Sequence, residues 1–141
     1  MSGITLRALL AVVLFIHGIG HVMGVMPDLK LATVEGWNSR SWLLTPILGD
    51  RISRILSIIL FLAALVGFVA SSLALLGWVV PHDWWRTLAI VSAVISIVTI
   101  VLFWNAFVAF FPNKVGALGV DIAVLVCLLV LNWPTEAMLG Y

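Results

Sequence analysis

Four long apolar stretches, separated by short polar segments, dominate the hydrophobic pattern of the chain. They run from about Ile4 to Met26, Ile52 to Val80, Trp85 to Phe111 and Val115 to Trp133. A helix needs about 20 mostly apolar residues to cross the hydrocarbon core of a bilayer. Lipid offers no hydrogen-bond partner to the open edge of a sheet, and so each stretch is predicted to be a transmembrane helix.

Proline follows each apolar stretch and supports these predicted ends. The prolines are Pro27, Pro81, Pro112 and Pro134. Proline has no backbone N–H, so a helix that continues through it loses a hydrogen bond. The predicted fold class is therefore all-α, a four-transmembrane-helix bundle in which residues 1–141 form a single integral membrane domain.

Small residues recur along each predicted span and indicate where the helices touch. Helices in lipid associate by close packing at small side chains, because lipid tails compete equally well for apolar surface. Such faces are predicted in all four spans: Ser53, Ser57, Ala64, Gly67 and Ser71 in span two, Ser92, Ser96 and Thr99 in span three, Gly20 and Gly24 in span one, and Gly116 and Gly119 in span four.

Composition agrees with a lipid environment. The chain is 64% hydrophobic and 9% charged, whereas soluble domains are about 25% charged. A net charge of +1 argues against nucleic-acid binding, which needs a clustered basic face. The single cysteine, Cys127, excludes an internal disulfide. The predicted location is the cell membrane, as a multi-pass protein whose first partner is the lipid bilayer.

Lysine and arginine favour one orientation of the bundle. Cytoplasmic loops carry an excess of these residues. Five of them flank the loops after spans one and three, against two on the other side: Lys30, Arg40, Arg51, Arg54 and Lys114 against Arg7 and Arg86. This count places both termini outside the cell.

Polar residues inside the spans are the candidates for function, because an ionisable group at the centre of a membrane helix costs about 2.5 kcal/mol or more. His17 and His21 share one face of span one. His21, Asn105 and Asp121 are predicted at one depth, each about 7 to 10 Å of helix from the same membrane surface. Arg54 enters from that side, and a polar pocket is predicted to open toward the loop that follows span one.

This pocket suits a quinone or quinol headgroup. A histidine beside a carboxylate binds and releases protons near neutral pH, and the oxygens of a quinone need partners that pass protons. We name Asp121 and His21 as the first candidate pair. The structural alternative is that the two side chains satisfy each other and lock two helices together without any substrate.

Metal and haem are less favoured cofactors. His17 and His21 are four residues apart, a spacing that holds an ion in some helices, but the glutamate of the H-E-x-x-H pattern is missing and only Asp121 offers a third ligand. A haem with two axial histidines would need His82, which is predicted at the opposite interface. A haem with one axial ligand stays open.

The segment from His17 to Gly24, HGIGHVMG, resembles the H-G-x-x-K-x-x-G signature that ends the first helix of the DoxX-like family of small four-helix membrane proteins. His17, Gly18 and Gly24 match the motif, and His21 stands where the family usually has lysine. The resemblance implies association with quinone-linked oxidation, as a subunit of thiosulfate:quinone oxidoreductase in some archaea or a partner in bacterial membrane redox complexes.

Three functions follow from these observations. The first is a quinone-associated redox subunit of a membrane oxidoreductase complex, which uses His17, His21 and Asp121. The alternative is a noncatalytic subunit that stabilises or assembles a larger complex with other membrane subunits. A permease for a small solute or ion is the third and is less favoured, since the chain shows no inverted repeat.

Overall fold

The structure, a computed structural model, describes residues 2–106 and 114–141. These residues contain no strand, and helix accounts for 77% of the structure, which confirms the all-α fold class. The helices are α1 (Gly3–Gly20), α2 (Val22–Asp28), α3 (Leu44–Leu75), α4 (Trp85–Leu102), α5 (Val115–Leu125), which continues as a π-helical turn (Val126–Val130), and α6 (Glu136–Leu139). Short 3₁₀ turns cover His82–Trp84 and Trp104–Ala106.

The first predicted span is broken at His21. The backbone N–H of His21 bonds to the carbonyl of Gly18 at 3.0 Å, as in a 3₁₀ turn. This leaves the His17 carbonyl free of its usual partner, and it accepts instead from Nδ1 of His21 at 3.0 Å. The imidazole thus takes the place of a backbone donor, and the chain resumes as α2 and ends at Asp28, two residues beyond the predicted end.

Helix α3 begins and ends earlier than the apolar pattern predicts. It begins at Leu44 and is kinked at Gly49, which has φ 82°. It ends at Leu75, because Gly77 adopts φ 71° and its N–H bonds to the carbonyl of Ala74 at 2.9 Å. A glycine in this left-handed conformation ends helices commonly. The terminating signal is therefore Gly77, and not Pro81 as predicted.

Helix α4 ends at Leu102, and the loop before α3 supplies partners for its last carbonyl groups. Ser41 Oγ donates to the carbonyl of Leu102 at 2.5 Å, and Trp42 Nε1 donates to that of Val101 at 2.7 Å. The last carbonyls of a helix have no partner within the helix, so these two side chains fix the loop against the end of α4. The predicted end of span three, Phe111, lies outside the described residues.

Among the residues that the structure describes, three helical segments are long and apolar enough to cross a membrane: Gly3–Asp28, Leu44–Leu75 and His82–Leu102. The fourth apolar segment, Val115–Val130, is shorter. Large aliphatic side chains such as Ile16, Ile55 and Val66 lie on the outside, at 65%, 47% and 55% exposure. Serines such as Ser53, Ser57 and Ser96 are fully buried. This distribution, with polar residues inside and aliphatic ones outside, is compatible with a multi-pass membrane protein.

The predicted small faces of spans two and three lie at helix contacts. A Cβ atom added at Gly67 would lie 2.0 Å from Ser92 Oγ, which shows how closely α3 and α4 approach. Gly24 packs against the ring of Phe61, and Gly18 packs against Phe68. Gly20 has no such neighbour within 4 Å, so its predicted packing role is wrong.

Gly119 was expected to pack in the same way, and it too has open space where a side chain would begin, with no neighbour within 4 Å. The glycine pattern of span four therefore does not mark a helix contact at this position.

Both chain termini lie at one end of the bundle. A Cβ atom at Gly3 would lie 2.9 Å from the backbone nitrogen of Gly140, in the last turn of the chain. At the same end the ring of Tyr141 stacks on His82 at 3.6 Å between centroids, and the guanidinium of Arg7 lies 4.7 Å from the Tyr141 ring. The candidate site described below lies toward the other end, where α1 meets α2.

Candidate functional site

The break between α1 and α2 places two histidines side by side. The imidazoles of His17 and His21 meet edge to face, with their centroids 5.2 Å apart. His17 also packs against the ring of Phe68 at 4.7 Å. His21 is 5% exposed, whereas the side chain of His17 is 9% exposed. Neither ring has enough contact with solvent to satisfy its nitrogens with water alone, so both need partners in the protein.

A carboxylate and a hydroxyl from two other helices supply those partners. Asp121 of α5 is fully buried, and its Oδ1 lies 2.7 Å from Nε2 of His17. Its other oxygen, Oδ2, lies 2.5 Å from Oγ of Ser96 in α4. Ser96 Oγ in turn lies 2.8 Å from Nε2 of His21. The four side chains form a continuous hydrogen-bonded network, here called the His–Ser–Asp network, that joins α1, α4 and α5.

Donor and acceptor chemistry limits the protonation states in which every hydrogen bond of the network is kept. Nδ1 of His21 must donate, because its partner is the His17 carbonyl, which only accepts. If the Ser96 hydroxyl donates to Asp121, then Nε2 of His21 must also donate, and His21 is an imidazolium beside a carboxylate. If the hydroxyl donates to His21 instead, then Asp121 must be protonated at Oδ2. In both arrangements His21, Ser96 and Asp121 together hold one proton more than a neutral imidazole and a carboxylate.

The two arrangements differ only in where that proton resides. Moving from the second to the first breaks the Asp121 O–H bond, gives that proton to Ser96 and passes the serine's own proton to Nε2 of His21. Each hydrogen bond is kept throughout, and the net charge of the three groups stays zero. The geometry is therefore that of a proton relay, with His17 donating to Oδ1 of Asp121 at its side.

An apolar cavity of about 470 Å³ lies against the two histidines. It is bounded by α1 and α2 on one side and α5 on another, and the indole of Trp37 in the loop after α2 lines it as well. Gly20 also lines the cavity, which explains why this glycine has open space where a side chain would begin. Ile16 and Met23 line it and are 65% and 47% exposed, so the cavity adjoins the exposed apolar surface of the bundle.

The structure brings together three of the five residues predicted for the polar pocket, namely His17, His21 and Asp121. The predicted direct pair of His21 and Asp121 is replaced by a bridge through Ser96, and the direct partner of Asp121 is His17. Asn105 lies away from the network, is exposed, and accepts at its carbonyl from Asn38 at 3.2 Å.

Arg54 is exposed and lines a second cavity, described below. Its long side chain lies outside the first cavity, because the face of α3 that meets the network is occupied by Phe61 and Phe68.

The sequence predicts a packing face at Ser96 and not its place in the network, which the structure shows. The available signal was its position near the middle of an apolar span, opposite a carboxylate on the neighbouring helix. Within residues 2–106 and 114–141, no group of three His, Cys, Asp or Glu side chains is arranged to hold a metal ion.

The third histidine, His82, lies at the other end of the bundle, where Nε2 is 2.8 Å from a carboxylate oxygen of Glu136. Burial raises the pKa of Glu136, but hydrogen bonds from His82 and Trp85 and the charges of His82 and Arg86 outweigh it, so this pKa lies below its ordinary value. This cluster joins α6 to the start of α4 and is separate from the His–Ser–Asp network.

The candidate site therefore combines an apolar cavity beside the exposed apolar surface with a buried hydrogen-bonded network of two histidines, a serine and an aspartate. Comparison of the chain with family models, with curated proteins and with solved structures finds no match.

Proposed function

We propose that the chain is a four-span protein of the cell membrane with both termini on the outer side. An even number of crossings is supported by the contact between Gly3 and Gly140, which puts the two ends of the chain at one end of the bundle. The fourth crossing is Val115–Val130, which runs antiparallel to α4: Arg86 bonds to the carbonyl of Leu128 at 2.8 Å, and Ser96 bonds to Asp121.

We propose further that the protein is a quinone-associated redox subunit of a membrane oxidoreductase complex. The observation that carries this proposal is the hydrogen-bonded network of His17, His21, Ser96 and Asp121 at the wall of an apolar cavity. A quinone has an apolar ring and tail and two oxygens that accept hydrogen bonds. The cavity supplies the apolar walls, and His17, whose Nδ1 takes no part in the network, supplies the polar contact.

The size and position of the cavity suit such a ligand. A volume of about 470 Å³ falls within the 300 to 1,000 Å³ that is typical of small-molecule sites. A ring bound between the histidines and Trp37 would leave its tail room to pass Ile16 or Met23 into the lipid. The resemblance of HGIGHVMG to the DoxX-like signature supports the same chemistry.

The chain's contribution to the reaction is proton transfer. Reduction of a quinone to a quinol adds two electrons and two protons to its oxygens. His17 lines the cavity, its Nδ1 lies outside the network, and it is the group placed to pass a proton to or from a ligand oxygen. Both ring nitrogens of His21 are already bonded, so His21, Ser96 and Asp121 supply or store the proton. The electrons come from a donor in a partner subunit, and this division of labour is why we propose a subunit rather than a complete enzyme.

A cavity-filling substitution with a matched control tests the binding step. Gly20→Leu puts a side chain into the cavity, and Gly119→Leu puts the same side chain on an open surface that does not line it. Binding of a short-tail benzoquinone to purified protein is measured by equilibrium dialysis against protein-free micelles. We expect the wild type and Gly119→Leu to bind and Gly20→Leu to bind at least about tenfold more weakly. Equal binding by all three proteins would refute the site.

Histidine substitutions test the polar contacts. His21→Leu removes the ring at the cavity, whereas His82→Leu removes a ring at the opposite end of the bundle. We expect only the first to abolish quinone binding and quinol oxidation in the intact complex. A noncatalytic assembly subunit predicts the reverse pattern, in which no variant affects quinone binding, and Gly67→Leu, which forces α3 away from α4, lowers recovery of the complex.

A further inference from the structure

A second buried carboxylate, Asp28, is only partly satisfied. It is the last residue of α2 and is 4% exposed. Its Oδ1 accepts from Nε1 of Trp37 at 2.7 Å and from the hydroxyl of Ser39. Its Oδ2 has no hydrogen-bond partner among the residues that the structure describes. Oδ2 is therefore buried away from water, and no described protein group replaces the hydrogen bonds that water would give it.

The position of Asp28 makes an unpaired charge especially unfavourable. A buried polar atom without a partner loses its hydration and gains nothing in return. The C-terminal end of a helix carries partial negative charge, which repels a carboxylate. Within residues 2–106 and 114–141, no lysine or arginine lies within ion-pair distance of Asp28; the ion pairs found there involve other carboxylates. A donor group, and preferably a cation, is missing at Oδ2.

Asp28 lines a cavity of about 320 Å³ that is distinct in character from the apolar one. Two cations, Lys30 and Arg54, line the same cavity. Three small polar residues line it as well, beside apolar ones: Thr33, Asn38 and Ser39. One cavity is thus lined by a residue with a buried, unsatisfied acceptor and by two exposed positive side chains, near the end of α2.

We infer that this cavity binds a zwitterionic group that carries a primary ammonium and a phosphate, as in an ethanolamine phosphate headgroup. The ammonium donates to Oδ2 of Asp28, and the phosphate pairs with Arg54 and Lys30. A phosphate alone would leave Asp28 unsatisfied, and a simple cation would leave the two basic side chains without a counter-ion. The site is separate from the proposed quinone cavity, although Trp37 lines both.

Headgroup chemistry distinguishes this proposal from nonspecific lipid binding. Phosphatidylcholine carries the same charges as phosphatidylethanolamine, but its quaternary ammonium has no N–H to donate to Asp28. Phosphatidylglycerol carries the phosphate without any ammonium. Purified protein is exposed to mixed micelles that hold equal amounts of the three lipids, and the lipid retained per chain is counted by native mass spectrometry. We expect phosphatidylethanolamine to be enriched about tenfold over phosphatidylcholine.

Two substitutions test the contacts, and a third is the control. Asp28→Asn keeps the shape of the side chain but removes its charge, and Arg54→Gln removes a cation from an exposed position that the fold does not need. Both should abolish the enrichment. Glu35→Gln removes an exposed carboxylate from the same loop without touching the cavity and should leave it unchanged. If Asp28→Asn does not fold, the Arg54→Gln variant and the comparison of the three lipids on the wild type still test whether the cavity selects phosphatidylethanolamine.

The source of the headgroup is tested with soluble phosphoethanolamine. Displacement of the retained lipid by phosphoethanolamine, but not by phosphocholine, would show that the cavity binds the headgroup without a contribution from the acyl chains. Failure of phosphoethanolamine to displace it would show that the acyl chains contribute. Equal retention of phosphatidylethanolamine and phosphatidylcholine by the wild type, or full enrichment in Arg54→Gln, would overturn the inference. Neither outcome bears on quinone binding, which is measured separately.

Discussion

Asp121→Ala and Asp121→Asn should affect stability very differently, although both remove the charge. Truncation to alanine removes the partner of His17 Nε2 and one of the two partners of Ser96 Oγ, which lie 2.7 and 2.5 Å from the carboxylate in a fully buried site. Removing one member of such a buried pair costs about 3 to 5 kcal/mol. We therefore expect Asp121→Ala to lower the free energy of unfolding by about that amount.

Asparagine, by contrast, reproduces the arrangement in which Asp121 is protonated and the Ser96 hydroxyl donates to His21. Its carbonyl oxygen accepts from His17, and its NH₂ group donates to Ser96, whose hydroxyl then donates to His21. Every hydrogen bond persists, so the expected cost is below about 1.5 kcal/mol. The amide has no proton to release, and so proton transfer to the cavity should still be lost.

The assay is unfolding of purified protein in mixed micelles by titration with a denaturing detergent, followed by circular dichroism. The matched control is Asp50→Ala, because Asp50 pairs with Arg40 at 3.0 Å but both side chains are more than 60% exposed (61% and 62%). Such a surface pair contributes about 0 to 1 kcal/mol. The reasoning is refuted if Asp121→Ala costs no more than Asp50→Ala, or if Asp121→Asn costs as much as Asp121→Ala.

Three further predictions concern packing, pH and the relay. Gly18→Ala should cost about 1 to 3 kcal/mol, because its Cβ would lie 2.9 Å from Cβ of Phe68, whereas Gly119→Ala, with open space around it, should cost nothing in the same unfolding assay. The lowered pKa of Glu136 stabilises the fold above the ordinary carboxyl pKa, and this contribution is lost as pH falls through the lowered value. Thermal unfolding from pH 7 to pH 3 should therefore show wild type more stable than Glu136→Gln at neutral pH, with the difference vanishing in acid; a constant difference would contradict it. Ser96→Ala should remove the bridge between His21 and Asp121. In the wild-type background, Asp121→Asn should change the nitrogen-15 spectrum of His21. In the Ser96→Ala background, the same substitution should leave that spectrum unchanged.

The helical segments were predictable from sequence because lipid imposes a simple rule on length and polarity. Their ends were less predictable. Gly77 ends α3 through its backbone conformation, which the apolar run to Val80 conceals. The break at His21 depends on a side chain that replaces a backbone donor, and a local pattern of hydrophobicity carries no record of that bond.

The sequence predicts most of the residues of the candidate site, but not the hydrogen bonds that join them. Because helical rise is regular, depth places His21, Asn105 and Asp121 at one level and His17 about 6 Å deeper. The structure joins His17, His21 and Asp121, but not Asn105. Depth does not give rotation about the helix axis, and rotation decides that Asp121 meets His17 directly and His21 only through Ser96. Ser96 itself looks the same in sequence as the packing serines around it.

The central claim, that the cavity beside the His–Ser–Asp network binds a quinone, is tested most directly by the quinone that accompanies the protein from the membrane. Wild type, Gly20→Leu and Gly119→Leu are purified identically, and quinone in the lipid extract is quantified per chain by chromatography. The account predicts quinone with the wild type and with Gly119→Leu, and a loss of most of it from Gly20→Leu. Absence of quinone from all three proteins, or equal amounts in all three, would contradict it.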